Sequence, residues 1–185
     1  MAVNVKDLSA PIGVSIVDPA TGLPVTQVSG LTAYGAVTGS TVTRPGDTTA
    51  YASGDLVANS TTAGSVTPIS FTLAAGIYDI LDASLKTSST STTNASFRLH
   101  LYTSSPAGIA NGDNAAWSTN IAGYVGALDI TCDRSFVDGA YGRGLSLTQT
   151  PHRLTSTGTV YGLLEARAAY TPTNAGTFIA SLTVG

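Results

Sequence analysis

The sequence predicts an all-β protein, an antiparallel two-sheet jelly-roll-like sandwich with an extended N-terminal arm and at most one short helix. The first observation behind this prediction is composition. The 185 residues include 28 threonines and 20 glycines but one glutamate, and β-branched hydroxyl residues favour strands over helices. The second is an alternation of apolar and polar residues in several segments, which is typical of half-buried strands. The third is that helical segments do not alternate with these strands, which argues against parallel βαβ units.

Residues 1–35 are predicted to form the N-terminal arm, and residues 36–185 the sandwich body. Within the arm, residues 14–17 favour a strand, and the sequence DPATG at 18–22 favours a turn, because proline fixes φ and glycine permits positive φ. The small residues between 29 and 39 are interpreted as a hinge that joins the arm to the body.

The first half of the body contains short predicted strands separated by turns. They lie at residues 38–44, 56–57 and 69–73. The segment 77–85 predicts a longer strand in which Tyr78 and Ile80 face inward, followed by Ala83 and Leu85. These two inward pairs are out of phase by one residue, which indicates a β-bulge between them.

The second half of the body begins with a Ser/Thr run at residues 86–94, which we expect to be an exposed loop because it can bury no apolar area. Residues 97–102 alternate, with Phe97, Leu99 and Leu101 on one face and Arg98, His100 and Tyr102 on the other. Residues 107–126 are the one place where a short helix is expected, capped by Asp113 or Asn114. Further strands are predicted at 127–131, 145–148, 159–170 and 177–184.

Composition argues against several classes of function. Charged residues make up 10% of the chain, and its basic residues are spread singly, so we expect no nucleic-acid partner. No apolar run approaches the roughly 20 residues that span a bilayer, and the N-terminus lacks the pattern of a secretory signal. We therefore expect no membrane partner and folding in the cytoplasm. The single cysteine, Cys132, excludes an intramolecular disulfide framework.

The residues that could carry chemistry favour a protein that is not an enzyme and has no metal or other cofactor. Cys132 has acidic neighbours, which disfavour a thiolate, and we interpret it as a buried small residue. His100, on the polar face of its strand, and His152, in a predicted loop, lack the short spacing of metal ligands. Asp79 and Asp82 are three residues apart in a predicted strand and should point to opposite faces, unlike the paired acids of a glycosidase.

Two further acidic residues are interpreted as structural. Asp113 lies in the sequence NGDN, which favours a turn or a helix cap over a calcium loop, because the ligand spacing and the distal glutamate of such a loop are missing. Glu165 is two residues from Arg167 and therefore on the same face of its predicted strand. We expect these two side chains to form a structural pair or an intersubunit contact.

Aromatic residues leave two alternatives open. Tyr34, Tyr51, Tyr124 and Tyr141 adjoin small residues in predicted loops. Exposed aromatic rings that lie together could stack on sugar rings, whereas tyrosines at the rim of a subunit interface are a common alternative.

Three segments resemble structural proteins of tailed bacteriophages. Residues 43–57, TRPGDTTAYASGDLV, resemble an RPxDTTAYxxGD signature of those proteins. Residues 97–102, FRLHLY, followed by Pro106 and by DNAAW at 113–117, resemble their RLxLF…P…DNAAF segment. Residues 163–172, LLEARAAYTP, resemble their LxExRAAYTP segment.

This resemblance implies a structural virion protein, most like a jelly-roll capsid decoration (cement) protein. It implies a homotrimer on the outer capsid surface, made in the host cytoplasm, with the major capsid protein as partner. We expect the arm to contact the capsid or a neighbouring subunit, because an extended segment can add a strand to another sheet. The residues predicted to make partner contacts are Val14, Ile16, Val25, Val28, Tyr34, Glu165 and Arg167.

Three other functions remain open at the level of sequence. A receptor- or glycan-binding module of a phage tail or fibre would show a cluster of exposed aromatic residues. The coat protein of a small icosahedral virus would carry a basic arm, whereas residues 1–35 contain Lys6 as their one basic residue. An enzyme would need a set of nucleophile, base or metal ligands, and none stands out in the sequence.

Overall fold

The computed structural model describes residues 35–106, 111–145 and 152–185, and within them the protein is all-β, as predicted. One turn of 3-10 helix, at Thr90–Thr92, is the helical structure found in these residues. The predicted arm lies outside the described residues, apart from Gly35. The strands are β1 (Gly35–Thr38), β2 (Val42–Thr43), β3 (Leu56–Val57), β4 (Ile69–Thr72), β5 (Gly76–Thr87), β6 (Ser96–Tyr102), β7 (Tyr124–Phe136), β8 (Gly139–Leu145), β9 (His152–Ser156), β10 (Thr159–Ala166) and β11 (Thr177–Val184).

All strand pairs are antiparallel, and the sheet curls on itself into two layers. Three pairs of short strands each follow one edge of a longer strand: β1 and β2 lie along β11, β3 and β4 along β10, and β8 and β9 along β5. If each pair is counted as one interrupted strand, the described residues form eight strands. One layer then contains the first, eighth, third and sixth strands in that spatial order, and the other the second, seventh, fourth and fifth. This order is that of a jelly roll.

The core lies between the two layers. Phe97 of β6 and Phe178 of β11 meet across it, edge to face, with ring centroids 5.5 Å apart. The alternation predicted for β6 is confirmed, because Phe97, Leu99 and Leu101 are fully buried. The structure shows the same period in β11, where every second residue from Phe178 to Val184 is buried. Burial of these side chains is the main stabilising contribution to such a sandwich.

The predicted bulge in β5 is confirmed. In the pairing of β5 with β11, Thr183 lies opposite Asp82 but Val184 lies opposite Ile80, so one residue of β5 is extra. Ile80 and Ala83 are both buried in the core as a result. The expectation that Asp79 and Asp82 point to opposite faces is therefore wrong, because the bulge turns both side chains away from the core.

Two expectations about the loops are also wrong. The Ser/Thr run at 86–94 is not a fully exposed loop. Its first two residues end β5, and Ser89 and Thr92 are buried, because the Thr92 hydroxyl donates a hydrogen bond to the Ser89 carbonyl at 2.5 Å and so needs no water. The short helix expected within 107–126 does not form in the described residues 111–126, where Ala116 instead pairs with Asp55 in an isolated antiparallel bridge.

The ends of several strands differ from those predicted. The hinge predicted to reach residue 39 contains β1, which pairs with the last strand. His152 begins β9, whereas a loop position was expected. Tyr170, expected in the strand that starts at Thr159, lies beyond its end and pairs with Tyr51 in an isolated bridge. The described residues contain no helix that could cross a bilayer.

Candidate functional site

The three segments that resemble phage proteins meet at one place in the fold. Gly54 N donates a hydrogen bond to Ala166 O at 2.7 Å, and Trp117 N donates to Gly54 O at 2.6 Å. Tyr51 N donates to Tyr170 O at 3.0 Å. The backbone of the first segment therefore bonds to the other two, which pair with each other through β6 and β10, although the segments are at least forty positions apart in the chain.

A buried ion pair lies at the centre of this meeting point. Arg44 and Asp113 are each at most 5% exposed, and Arg44 Nη2 donates to Asp113 Oδ2 at 2.9 Å. The other carboxylate oxygen, Oδ1, accepts hydrogen bonds from the Tyr51 hydroxyl at 2.5 Å and from Ala58 N at 2.7 Å. Because a buried charge is costly unless it is paired and hydrogen-bonded, these four groups stabilise one another only as a set.

The loop before β7 reaches this pair because residue 112 is glycine. A Cβ at Gly112 would lie 2.0 Å from the carbonyl oxygen of Thr61, so a larger residue would push the loop away. The next residue is Asp113, whose backbone N donates to Ser60 O at 2.6 Å. The local sequence therefore fixes the position of the buried carboxylate.

Aromatic stacking connects the ion pair to the core. The Tyr51 ring stacks on Tyr170 with centroids 4.9 Å apart, and Tyr170 meets Phe97 edge to face at 5.3 Å. Burial, together with the hydrogen bond to Asp113, raises the pKa of Tyr51, so its hydroxyl remains a neutral donor. We call Arg44, Tyr51, Asp113 and Tyr170 the motif cluster. Arg44, Tyr51 and Asp113 hydrogen-bond within the cluster, and Tyr170 contributes its stacked ring. This arrangement stabilises the fold.

Glu165 and Arg167 form the predicted pair on the outer face of the second layer. Arg167 Nη1 donates to Glu165 Oε1 at 2.9 Å, and Glu165 is 6% exposed. The second carboxylate oxygen, Oε2, lies 2.7 Å from His100 Nε2 on the neighbouring strand β6. Sequence reasoning missed this third member, although His100 and Glu165 were both placed on polar strand faces.

A second ion pair extends the same face. Arg98 donates from Nε to Asp129 Oδ1 at 2.6 Å and from Nη2 to Oδ2 at 2.7 Å, a two-point contact across β6 and β7. This contact lowers the pKa of Asp129. Such two-point arginine–carboxylate contacts orient both side chains.

His100 is held from three sides. Besides Glu165, its Nδ1 lies 3.3 Å from the Tyr124 hydroxyl, and its ring stacks under Trp117 with centroids 4.2 Å apart. Burial lowers the pKa of His100, and the nearby Arg98 and Arg167 act in the same direction, while Glu165 opposes them. A neutral imidazole that donates from Nε2 to Glu165 and accepts at Nδ1 from Tyr124 fits this geometry.

An aromatic pocket of about 300 Å³ opens beside His100. It lies between β6, the start of β7 and the loop that precedes β7. Its exposed side includes Ile121, 86% exposed, and Tyr124, 39% exposed. The pocket is lined by His100, Tyr102, Trp117, Thr119, Asn120, Ile121 and Tyr124. Its flat rings could stack on a planar or sugar-like ligand.

The other residues singled out in the sequence are buried or paired within the chain. Cys132 is fully buried, as predicted, and burial raises its pKa to about 12. Asp79 pairs with Arg153, and Asp82 pairs with Arg143 and accepts a bond from Thr183. No group of three or more potential metal ligands occurs among the described residues.

Five of the residues predicted to make partner contacts lie outside the described residues. They are Val14, Ile16, Val25, Val28 and Tyr34. The sequence did not predict that Arg44 and Asp113 form a buried pair, although each residue lies in a segment that resembles phage proteins.

No protein-family model matches the sequence. No curated protein is significantly similar to it either.

Proposed function

We propose that this chain is a structural virion protein, a capsid decoration (cement) protein that binds the outer surface of a tailed-phage head and bridges capsomers. Its partners are the major capsid protein and further copies of itself, in a homotrimer. The observation that carries this proposal is the motif cluster. The three segments that resemble phage structural proteins lie far apart in the chain and meet at Arg44 and Tyr51 of the first, Asp113 of the second and Tyr170 of the third.

The charges of the body support a role in assembly. Five arginines are paired with carboxylates of the same chain, and they are Arg44, Arg98, Arg143, Arg153 and Arg167. Where surface charges are already paired, other protein can cover them without leaving single charges desolvated. Its remaining polar character comes from Ser and Thr, which make up about a quarter of the chain. Many weak contacts, repeated by the symmetry of a shell, then give strong total binding.

The arm is the proposed contact with the capsid or with a neighbouring subunit. Residues 1–34 precede β1, which pairs with β11 at the edge of the first layer. Apolar residues such as Val14 and Ile16 would supply side chains to a groove of the partner, while the backbone adds a strand to its sheet.

A truncation tests the arm and the partner together. The full chain and a variant that lacks residues 1–34 are mixed with undecorated heads built from the major capsid protein of the same phage genome, and the heads are sedimented. We expect saturable binding of the full chain and loss of binding by the variant, which should keep its strand-type circular dichroism. Equal binding by the two proteins would remove the arm from the proposal, and absence of binding by the full chain would contradict decoration itself.

The aromatic pocket favours a second candidate function, a receptor- or glycan-binding module of a tail or fibre. Trp117, Tyr124 and His100 gather there around about 300 Å³ of open space, which is near the lower limit of ligand sites. A glycan array probed with the full chain tests this candidate. Binding that is lost in Tyr124→Ala and kept in the matched control Tyr141→Ala would favour it, and absence of binding to any glycan would count against it.

A further inference from the structure

Three buried polar atoms at the aromatic pocket make no hydrogen bond of ordinary geometry with the described residues. They are the Tyr102 hydroxyl, Trp117 Nε1 and the Thr119 hydroxyl, and all three residues line the pocket. Tyr102 is fully buried, and the other two residues are half-buried. An unpaired buried polar group lowers the stability of a fold. Three such groups at one pocket therefore indicate side chains that are kept for a ligand.

The chemistry of these atoms determines what a ligand must offer. The indole N–H of Trp117 can only donate, so its partner must be an acceptor. The other two groups lie near each other, since burial raises the pKa of Tyr102 to about 12 and the Thr119 hydroxyl acts in the opposite direction. A bond between these two hydroxyls would use one of their protons, and the other proton and the indole N–H would still lack acceptors. A ligand for this pocket therefore carries several acceptor atoms.

The rest of the pocket lining is aromatic and carries no charge while His100 is neutral. The rings of Tyr102 and Tyr124 meet edge to face with centroids 5.3 Å apart. Arg98 and Glu165 act on Tyr124 electrostatically, but each is already paired within the chain. The described residues therefore offer no unpaired cation at this pocket to an anionic ligand. Flat apolar walls with a few placed polar groups are typical of sites for small neutral ligands.

The segment 118–122 borders the pocket and governs access to the three polar atoms, which are covered in the ligand-free chain. Within this segment every residue except Thr119 is exposed, and Ile121 is 86% exposed. Exposed segments with few buried contacts open locally at a small cost in free energy. We expect a local movement of this segment to admit a ligand to the Thr119 hydroxyl and its neighbours.

We propose that the aromatic pocket binds one pyranose ring of a neutral glycan. Such a ring combines an apolar face, which packs on the aromatic rings, with oxygen atoms around its rim. These oxygens accept hydrogen bonds from Trp117 Nε1 and from the hydroxyls of Tyr102 and Thr119. The pocket volume of about 300 Å³ suits a single ring. This inference rests on the second candidate function and deepens it by naming the ligand class and the groups that hold the ligand. It does not depend on the capsid partner.

Binding can be measured at Trp117 itself, because it is the single tryptophan of the chain. Its fluorescence and its indole N–H resonance are followed while the full chain is titrated with the methyl glycosides of glucose, galactose, mannose and N-acetylglucosamine. The methyl glycoside of glucuronic acid is the anionic comparison. The variants are Tyr102→Phe and Thr119→Val, which each remove one hydroxyl. Tyr141→Phe is the matched control, because it removes a tyrosine hydroxyl from β8, outside the pocket. Circular dichroism verifies that each variant is folded.

We expect at least one neutral glycoside to shift both Trp117 signals saturably at millimolar concentration. Binding should be weaker by up to about tenfold in Tyr102→Phe and in Thr119→Val and unchanged in Tyr141→Phe. Without glycoside, the urea midpoint of Tyr102→Phe should equal or exceed that of the wild type, because the variant lacks an unpaired buried hydroxyl.

Four results would each overturn the inference. They are no shift with any neutral glycoside, equally tight binding of the glucuronic acid glycoside, normal binding by both variants, and a lowered urea midpoint in Tyr102→Phe. The last would show that a buried water or a protein group already satisfies the hydroxyl. These results are distinct from those for decoration. Glycoside binding by a chain that fails to bind heads would support this site and contradict decoration, and head binding by a chain that binds no glycoside would do the reverse.

Discussion

The motif cluster and the tip of the β7–β8 hairpin, residues 133–138, differ in almost every physical respect. Arg44 and Asp113 are buried, paired and hydrogen-bonded within the chain, whereas Val137 is fully exposed beside a groove that it does not fill. Residues with a recognisable pattern belong to the first region, and the second has no distinctive sequence. The difference teaches that the resemblance to phage proteins concerns how the body is held together.

The largest effect should come from breaking the buried pair. Asp113→Ala leaves the buried Arg44 guanidinium with one longer, partly exposed ion pair, to Asp47 at 3.5 Å, and we expect the free energy of unfolding to fall by about 3 kcal/mol. Urea unfolding followed by circular dichroism measures this. The matched control is Asp129→Ala, which breaks the partly exposed pair with Arg98 and should cost about 0.2–1 kcal/mol. Equal losses in the two variants would contradict the contrast between buried and surface pairs.

Replacing the pair as a unit sharpens the same point. Arg44→Met combined with Asp113→Leu removes both charges, and we expect it to recover a large part of the stability lost in Asp113→Ala, since apolar side chains can replace a buried ion pair. The same unfolding measurement applies. A double variant less stable than Asp113→Ala would show that shape, and not unpaired charge, dominates the site.

A smaller effect is expected from the tyrosine hydroxyl. Tyr51→Phe removes a hydrogen bond to a buried carboxylate while keeping the ring stacked on Tyr170. The expected loss is about 1.5–3 kcal/mol. The control is Tyr141→Phe in β8, which should change the unfolding free energy by less than about 0.5 kcal/mol. If Tyr51→Phe lowered the free energy of unfolding equally little, the Tyr51 hydroxyl would not contribute to the stability of the motif cluster.

The pH dependence of His100 tests the network on the outer face. Its pKa is lowered in the folded protein from an ordinary value of 6.5, so the unfolded chain takes up this proton first as the pH falls. The contribution of His100 to stability is therefore complete above about pH 6.5 and decreases below that pH. Asp129, whose pKa is lowered, loses its contribution only as the pH falls below its ordinary value of 3.8.

Unfolding at each pH can be followed by the fluorescence of Trp117, because Trp117 is the single tryptophan of the chain and stacks on His100. We expect unfolding free energies measured at pH 7 and pH 5 to differ in the wild type and to converge in His100→Gln. Charged groups that face His100 in the native state are Glu165, Arg167, Arg98 and Asp129, together with the Tyr124 hydroxyl. An equal pH dependence in His100→Gln would show that His100 is not the group responsible for it.

The smallest effect on stability belongs to the hairpin tip. Val137→Ser removes an exposed side chain, and the free energy of unfolding should stay within about 0.5 kcal/mol of the wild type at concentrations where the chain is monomeric. A large loss of monomer stability would mean that the tip contributes to the body, and the contrast between the two regions would fail.

Local patterns in the sequence predicted most of the sheet. Alternation identified the inward face of β6, and the phase change between Ile80 and Ala83 identified the bulge in β5. Such patterns express the two-residue period of a strand and need no knowledge of distant contacts. The pair of Glu165 and Arg167 was predictable for the same reason.

What local patterns missed depends on distant partners. Asp113 has the chemistry of a helix cap, but its carboxylate bonds to Arg44, 69 positions away, and the loop it fixes pairs with Asp55 instead of coiling. Thr92 is buried because its hydroxyl bonds to nearby backbone, so a polar composition did not mean exposure. The aromatic pocket required the loop before β7 to fold over His100, which no spacing in the sequence indicates.

The most direct test of the proposed role is a cryo-electron microscopy map of undecorated heads incubated with the full chain. The account predicts jelly-roll density in groups of three on the outer surface, at positions where capsomers meet. Bare heads at saturating protein concentration, or density confined to the tail, would contradict it.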